Sequence, residues 1–166
     1  MDPESALVLR DGSAVRIRSI TPEDQERERR FFSGLSERSR YHRFMQHLHE
    51  LPPGMLERFT HIDPTRELAL VALSRDEIVG VGRYAPDPDS ACAEFALVVA
   101  DAWQRKGLGR RFLERLLDAS RDAGYPCLLG RVLDDNRGML ELAARLGFAR
   151  EGRSGAEVTV VYRFAK

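Results

Sequence analysis

The alternation of apolar and polar residues predicts a chain of short strands separated by helices. The first pattern, Val15-Arg16-Ile17-Arg18-Ser19-Ile20, alternates as a half-buried strand does. Residues 67–99 contain three strand patterns separated by two turn-rich stretches, which together predict an antiparallel meander. The predicted strands are 15–20, 67–73, 77–84, 91–99, 127–133 and 158–164.

Helical patterns fill most of the remaining chain. Thr21-Pro22-Glu23-Asp24 combines a capping residue, a proline suited to the first helical position and an acidic residue that completes a capping box. The second helix is predicted to extend through Met45 and Leu48, and residues 109–123 form an amphipathic pattern that Gly124 ends. The five predicted helices begin at or just after Thr21, Ser36, Pro52, Gly109 and Asn136.

The order of these elements predicts the fold class. A strand, several helices and a meander are followed by an alternation of helix and strand, which is typical of an α/β protein with a mixed, mostly antiparallel sheet flanked by helices. No internal repeat, low-complexity tract or long linker interrupts the chain. We therefore expect one domain over residues 1–166.

Composition narrows the class of protein. The chain has 166 residues, 43% hydrophobic and 31% charged, with a formal net charge of +0, and these values are typical of a soluble globular domain. No apolar run approaches the roughly 20 residues of a membrane helix, and residues 1–5 do not resemble a signal peptide. A cytoplasmic protein without nucleic-acid or membrane partners is expected. Cys92 and Cys127 lie in apolar stretches, so two buried free thiols are expected rather than a disulfide or a metal pair.

The sharpest chemical signal is the loop Gln104-Arg105-Lys106-Gly107-Leu108-Gly109-Arg110, between a predicted strand and a predicted helix. The first backbone N–H groups of a helix are unpaired and lie at the positive end of its dipole, so they favour a phosphate. Gly107 and Gly109 would allow a pyrophosphate to approach the backbone, and charged contacts would come from Arg105, Lys106 and Arg110. The loop lacks the Gly-Lys-Ser/Thr ending of a Walker motif, and an ordinary tight turn is the alternative.

Residues 94–109, with Gln-x-x-Gly-x-Gly at 104–109, resemble the core of the GNAT superfamily of N-acetyltransferases. Asn136 followed by Leu146-Gly147-Phe148 is similar to a later helix of that family, and the resemblance extends from about Leu9 to Phe164. It implies that the loop binds the pyrophosphate of acetyl-CoA. It also implies that the pantetheine arm pairs with the backbone of Leu97, Val98 and Val99. Asn136 would lie near the cofactor, or would serve only as a helix N-cap.

A second resemblance is to the acetyltransferase domain of bacterial Pat-type protein lysine acetyltransferases. It rests on Leu9-Arg10-Asp11-Gly12, on residues 31–36 and on Ser39-Arg40-Tyr41 with Phe44. It implies that the acceptor amine is a lysine side chain of another protein. Two alternatives stay open: a small amine such as a polyamine, amino acid or drug, and a noncatalytic acyl-CoA-binding sensor.

Glu94 is the predicted general base. A protonated amine cannot attack a thioester, and Glu94 lies in an otherwise apolar strand where desolvation would raise the pKa of its carboxyl. The resemblance also implies this role, whereas a solvent-facing or ion-paired carboxylate is the alternative. Ala143 stands where many relatives have a tyrosine acid, so the general acid is unassigned. No metal site is expected, because His47-x-His49 lacks a third ligand.

Overall fold

The computed structural model describes residues 4–166, which form an eight-stranded sheet with helices on both faces. The strands are β1 (Ser5–Val8), β2 (Ala14–Ser19), β3 (Leu68–Ser74), β4 (Glu77–Pro86), β5 (Ala93–Val99), β6 (Cys127–Leu133), β7 (Ala149–Ser154) and β8 (Glu157–Arg163). Their order across the sheet is β1-β2-β3-β4-β5-β6-β8-β7. All neighbours are antiparallel except β5 and β6, which are parallel. The predicted mixed, mostly antiparallel α/β sheet is confirmed.

Five α-helices accompany the sheet in this part of the chain: α1 (Gln25–Gly34), α2 (Glu37–Phe44), α3 (Pro53–Thr60), α4 (Leu108–Asp122) and α5 (Arg137–Arg145). Within residues 4–166, none of them has both the length and the apolar character needed to cross a bilayer. The predicted second helix is too long, because Met45 adopts a left-handed conformation with φ 57° and ends α2. Leu48 therefore packs near Phe32 from a loop instead of a helix.

The two faces of the sheet bury different clusters, as strand alternation requires. On one face, Phe112 of α4 is fully buried against β4. A Cβ atom on either Gly80 or Gly82 would lie 2.9 Å from the Phe112 side chain, so these two glycines permit the close approach of α4. On the other face, Val81 packs with Phe31 of α1. Helices α1 to α3 and helix α4 thus lie on opposite sides of β4 and β5.

Two strands were not predicted, and both are at an edge of the sheet. β1 pairs only with β2, and β7 pairs only with β8. All six residues of β7 are exposed, so the strand carries no apolar alternation that could identify it. The strand conformation of β7 therefore depends on its hydrogen bonds to β8, which its own sequence pattern does not predict.

The parallel strands β5 and β6 separate soon after they begin. Their paired residues are Ala93 with Leu128 and Glu94 with Leu129, and no later pair follows. The side chain of Phe95 lies against Gly130 of β6, where a Cβ atom would come within 2.4 Å of the Phe95 ring. The aromatic ring therefore occupies the position at which the two backbones diverge, and only glycine at residue 130 leaves room for it.

Cys92 and Cys127 form a disulfide, so the expectation of two free thiols is wrong. The two residues immediately precede the paired residues Ala93 and Leu128, and parallel pairing places their Cα atoms 4.8 Å apart. That separation lies within the range that a disulfide requires. The sequence separation of 35 between the two cysteines hides this proximity.

Asp24 organises the start of α1. Its carboxylate accepts hydrogen bonds from Arg18 at 2.7 and 2.8 Å and from the backbone N–H of Thr21 at 2.8 Å. The side chain is fully buried. Burial raises the pKa of Asp24, but the hydrogen bonds from Arg18 and Thr21 outweigh it and hold the pKa below its usual value. The predicted capping box at Thr21 and Asp24 is confirmed.

Candidate functional site

A groove of about 320 Å³ opens where β5 and β6 separate. The C-terminal end of α2 borders it, together with strands β4, β5, β6 and β8. Three arginines, two glutamates and one histidine line the groove, namely Arg43, Arg83, Arg131, Glu94, Glu157 and His42. Its volume is in the lower part of the range found for small-molecule sites.

Glu94 lies at this groove but is not the isolated carboxylate that the sequence suggested. Its side chain is 33% exposed, and Arg131 Nη1 of β6 lies 2.8 Å from Glu94 Oε2. The hydrogen bond to Glu94 raises the pKa of Arg131 above its usual value, burial lowers it, and a hydrogen bond to Asp87 raises it further. The structure thus contains the ion pair that was left open as the alternative. The role of Glu94 as a base stays a prediction.

Arg131 is the hub of a carboxylate cluster. Besides Glu94, it lies 3.1 Å from Asp87, 3.7 Å from Glu157 and 3.8 Å from Asp89. Asp87 is 5% exposed, and its pKa is lowered because hydrogen bonds from Ser90 and Arg131 outweigh the effect of burial, which raises it. Four carboxylates around one guanidinium leave this wall of the groove negatively charged. Sequence reasoning missed Arg131, since nothing in the strand pattern of β6 distinguishes it.

The predicted phosphate loop has the expected position at the start of α4. Gly107 is the N-cap, with φ 93°, a left-handed conformation that favours glycine. A Cβ atom on Gly109 would lie 3.8 Å from Leu97 and 3.5 Å from Leu142, so Gly109 packs closely against β5 and α5. The first turn of α4 therefore presents free backbone N–H groups at the open end of β5. Leu108 is buried, whereas Arg105 and Arg110 are exposed and available to a ligand.

Two other side chains of the loop are used inside the protein. Gln104 Nε2 donates to the carbonyl oxygen of Val99 at 3.0 Å, which ties the loop to the end of β5. Lys106 Nζ lies 2.8 Å from Asp11 Oδ2 and 4.7 Å from the centroid of the Trp103 ring. The hydrogen bond from Lys106 is the largest cause of the lowered pKa of Asp11. Both residues shape the loop in addition to any contact with a ligand.

Arg10 is a loop neighbour that sequence reasoning did not assign to the site. It lies in the turn between β1 and β2, and its backbone N–H donates to the Lys106 carbonyl oxygen at 3.3 Å. A Cβ atom on Gly107 would lie 3.2 Å from Arg10 Nε. The turn thus adds the guanidinium group of Arg10 to those of the loop itself, and its backbone hydrogen bond anchors the loop. The resemblance of Leu9-Arg10-Asp11-Gly12 to Pat-type proteins was the sequence signal that could have identified Arg10.

The backbone of Leu97, Val98 and Val99 pairs with β4 on one side and with no strand on the side of β6. Leu97 borders the groove, while Val98 lines a smaller cavity behind it. An extended chain with amide groups could pair with this open edge as a further strand does. The structure therefore fits the pantetheine arm that the resemblance implied.

Asn136 is the N-cap of α5, whereas its predicted position near the cofactor stays a prediction. Its side chain accepts from the backbone N–H of Met139 at 3.3 Å as the N-cap of α5, and it also borders the groove. Ala143 is fully buried in the core. Tyr125 donates to the Arg66 carbonyl oxygen at 2.7 Å, and Tyr41 stacks on His47. The side chains that border the groove within residues 4–166 include no tyrosine.

No group of three or more His, Cys, Asp and Glu within residues 4–166 has a metal-binding arrangement. The loop, the open edge of β5 and the groove with Glu94 are the features that the structure brings together. They lie along one path, from the start of α4 past the separation of β5 and β6.

Comparison with known proteins identifies the family. The acetyltransferase (GNAT) family matches residues 22–148. The chain is 33% identical to Acetyltransferase PA5475 of Pseudomonas aeruginosa over 161 residues, which covers 95% of this chain and 87% of that protein. The GNAT domain of S. lividans PAT superposes with a TM-score of 0.91 at 28% identity, covering 99% and 100% of the two chains. The acetyltransferase yncA of Salmonella typhimurium, solved with acetyl-CoA, has the same fold, with a TM-score of 0.75 at 18% identity and coverage of 93% and 96%. The chain therefore belongs to the acetyltransferase (GNAT) family and is an acetyltransferase.

Proposed function

We propose that this protein transfers the acetyl group of acetyl-CoA directly to a primary amine, with Glu94 as the general base. The observation that carries the proposal is the separation of β5 from β6 immediately after the pair Glu94 and Leu129. It leaves an open strand edge leading to the start of α4 on one side and a groove with Glu94 on the other.

The contacts assigned to acetyl-CoA follow from this geometry. The pyrophosphate would accept hydrogen bonds from the first turn of α4, beside Gly107 and the exposed Arg105 and Arg110. The amides of the pantetheine arm would pair with the free backbone groups of residues 97–99. These contacts would place the thioester at the separation of the strands, next to the groove.

The chemistry requires a proton to leave the acceptor before it attacks. Glu94 accepts one proton from the acceptor ammonium, and the neutral nitrogen attacks the thioester carbonyl carbon. The carbon–sulfur bond then breaks, the nitrogen loses its second proton as the amide forms, and the thiolate of CoA leaves and takes up that proton, directly or through solvent. Arg131 fixes the position of the Glu94 carboxylate through their 2.8 Å contact. The support for Glu94 is its position, since the carboxylate borders the groove beside the open strand.

Two observations favour different acceptors. The resemblance to Pat-type proteins and the likeness to the GNAT domain of S. lividans PAT support a lysine side chain of another protein. The volume of the groove, about 320 Å³, and its border of α2 residues such as Arg43 and Phe44 support a small amine. A noncatalytic acyl-CoA sensor would use the same open strand but would not need Glu94.

Replacement of Glu94 by glutamine tests the proposal. We expect Glu94→Gln to lower kcat by about 100-fold or more, because the amide cannot accept the proton. The Kd for acetyl-CoA, measured by calorimetry, should change little, because Glu94 is on the acceptor side. Release of the CoA thiol over a panel of amines gives kcat.

A matched control is Glu77→Gln, which removes a β4 carboxylate that is ion-paired with Arg30 at 3.1 Å, outside the groove. It should leave both kcat and Kd at wild-type values. Wild-type turnover in Glu94→Gln would refute the base assignment. Tight acetyl-CoA binding without turnover on any amine or protein would establish the sensor instead.

A further inference from the structure

Two arginines form the inner wall of the groove. Arg83 of β4 and Arg43 of α2 both border the groove and also a small cavity of about 10 Å³ behind it. Their guanidinium carbons lie 4.4 Å and 5.6 Å from the centroid of the same Phe59 ring. Both cations therefore contact one aromatic side chain, at the boundary between the core and the groove.

The charges of this arginine pair exceed the negative charge beside it. Glu28 of α1 is the adjacent buried carboxylate, and it is 5% exposed. Burial raises the pKa of Glu28, which favours its uncharged form. Burial, and then repulsion by Arg83, lowers the pKa of Arg43 to about 10, so Arg43 is still charged at neutral pH. Among the described residues, Glu28 is thus the one buried carboxylate beside the two cations, while Glu94 acts on Arg43 and Glu67 acts on Arg83 without a direct ion pair.

Hydrogen bonding in this cluster is also incomplete. Arg83 Nη2 donates to the Phe59 carbonyl oxygen at 3.2 Å, but Arg83 Nε is buried and has no hydrogen-bond partner within residues 4–166. Glu28 Oε2 is likewise buried without a partner there. Arg43 contacts the Phe44 and Phe59 rings and forms no ion pair with the described carboxylates. A buried donor without a partner is costly and is often part of a functional site.

The adjacent wall of the groove, around Glu94, carries the opposite charge. There, Glu94, Glu157 and Asp87 surround the single guanidinium of Arg131 at 2.8, 3.7 and 3.1 Å. The groove is therefore bipolar, with excess positive charge at the inner wall and excess negative charge around Glu94.

Strand register determines how far apart the backbone positions of Arg83 and Glu94 lie. Arg83 pairs with Ala96, and Ala85 pairs with Glu94, so Arg83 and Glu94 are diagonal neighbours on one face of the sheet. Such neighbours lie about 7–8 Å apart in an antiparallel pair. The small side chain of Ala96 between them leaves the space open. This separation suits a molecule that carries an anion and an amine a few bonds apart.

We propose that the acceptor is a small amino carboxylate, whose carboxylate binds Arg43 and Arg83 while its amine meets Glu94. The inference rests on the proposed acetyl transfer and names the substrate class of the same groove. Guanidinium groups bind carboxylates through paired, charge-assisted hydrogen bonds, which Arg83 and the unpaired Arg43 can supply at the groove. The bound carboxylate would also balance the charge of the arginine pair.

The same wall disfavours the other acceptors. A polyamine would place a second ammonium against Arg43 and Arg83, where like charges repel. A lysine side chain of a protein brings an amine on an apolar stem and carries no carboxylate of its own to the inner wall. Only an acceptor with both charges matches both walls.

The test compares leucine with leucinamide as acceptors, with CoA thiol release as the measurement and rates corrected for the free-amine fraction of each. We expect kcat/KM to be about 10- to 100-fold higher for leucine, because a charged hydrogen-bond partner is worth roughly 1.5–3 kcal/mol. Calorimetry with N-acetylleucine and its carboxamide provides a second measurement that does not require turnover. The acid should bind and the amide should bind at least tenfold more weakly.

Arg43→Gln should lower kcat/KM for leucine, and weaken the binding of N-acetylleucine, much more than it lowers kcat/KM for leucinamide, so that the preference for the acid disappears. Arg38→Gln is the matched control, because Arg38 is an exposed residue of the same helix, outside the groove. Equal or better turnover of leucinamide, or of a lysine-containing peptide, would overturn the amino carboxylate while leaving acetyl transfer intact. Equal binding of the acid and the amide would also overturn it. An absence of turnover on every amine, with N-acetylleucine still preferred in calorimetry, would instead count against the proposed transfer reaction.

Discussion

The Cys92–Cys127 disulfide should provide a large share of the stability of this protein in its oxidised form. The bond closes a loop of 35 residues that contains α4 and the candidate phosphate loop. The chain-entropy relation for a loop of this length gives a stabilisation of about 4 kcal/mol at 25 °C. For a protein of 166 residues, each kcal/mol shifts Tm by about 2–4 °C. Reduction should therefore lower Tm by about 8–16 °C.

The assay is thermal unfolding followed by circular dichroism, with and without a reductant. Cys92 is 6% exposed and Cys127 is 3% exposed, so reduction should be carried out in mild denaturant that is then removed. The double variant Cys92→Ser/Cys127→Ser is the control, and its Tm should match that of the reduced protein and ignore the reductant. The reasoning would be refuted if protein purified in air and then unfolded showed two reactive thiols. It would also be refuted if the oxidised and reduced forms had the same Tm.

Three further predictions follow from single contacts. Gly107→Asp should raise the Kd for acetyl-CoA at least tenfold in calorimetry, because it adds a negative charge and a side chain beside the pyrophosphate. Gly107→Asn is the control, since it has the same backbone cost at φ 93° but adds no charge. An unchanged Kd in Gly107→Asp would rule out the loop assignment. Asp24→Asn should cost about 3 kcal/mol in urea unfolding at pH 7, because it leaves Arg18 without its carboxylate. The pKa of Asp24 is lowered on folding, so its contribution to stability is complete above the unfolded pKa of about 4 and is lost as pH falls through the folded pKa. The free energies of unfolding of wild type and Asp24→Asn should therefore converge in acid. Parallel profiles of unfolding free energy against pH would contradict this. Phe112→Ala should cost about 3–5 kcal/mol by the same assay, since the ring is fully buried against β4; a loss below 1 kcal/mol would show that the core collapses around it.

The sequence predicts the features of the fold that depend on local pattern. The six predicted strands and the capping box at Thr21 are local and were found, and the helix predicted to begin at about Gly109 begins at Leu108, with Gly107 as its N-cap. The same reasoning fails for β7, whose residues are all exposed and which exists because β8 pairs with it. It also fails at Met45, where one left-handed residue ends α2. Edge pairing and single dihedral angles have no periodic signal.

The candidate site shows the same division between local and distant contacts. Gly107, Gly109 and Asn136 were placed at the site by motif and spacing, and the structure has them at the start of α4 and at the groove. The environment of Glu94 was inferred only from its apolar neighbours in β5. Its actual partner, Arg131, comes from a strand 37 residues further along the chain. An ion pair across a tertiary contact leaves no trace in either strand pattern, so the burial of Glu94 was overestimated.

If Glu94 is the base, as proposed above, the surroundings of Arg131 would explain how an ion-paired carboxylate could still accept a proton. A lone partly buried arginine that loses its carboxylate is left with an uncompensated charge, and this loss costs several kcal/mol. Arg131 keeps Asp87 at 3.1 Å and Glu157 at 3.7 Å when Glu94 turns toward an acceptor ammonium, so its charge is still compensated. The entering ammonium replaces the guanidinium as the cation beside Glu94, and the net charge of the wall changes little. The redundancy of carboxylates around Arg131 therefore lowers the cost of releasing Glu94 to the amine, which a single Glu94–Arg131 pair could not do.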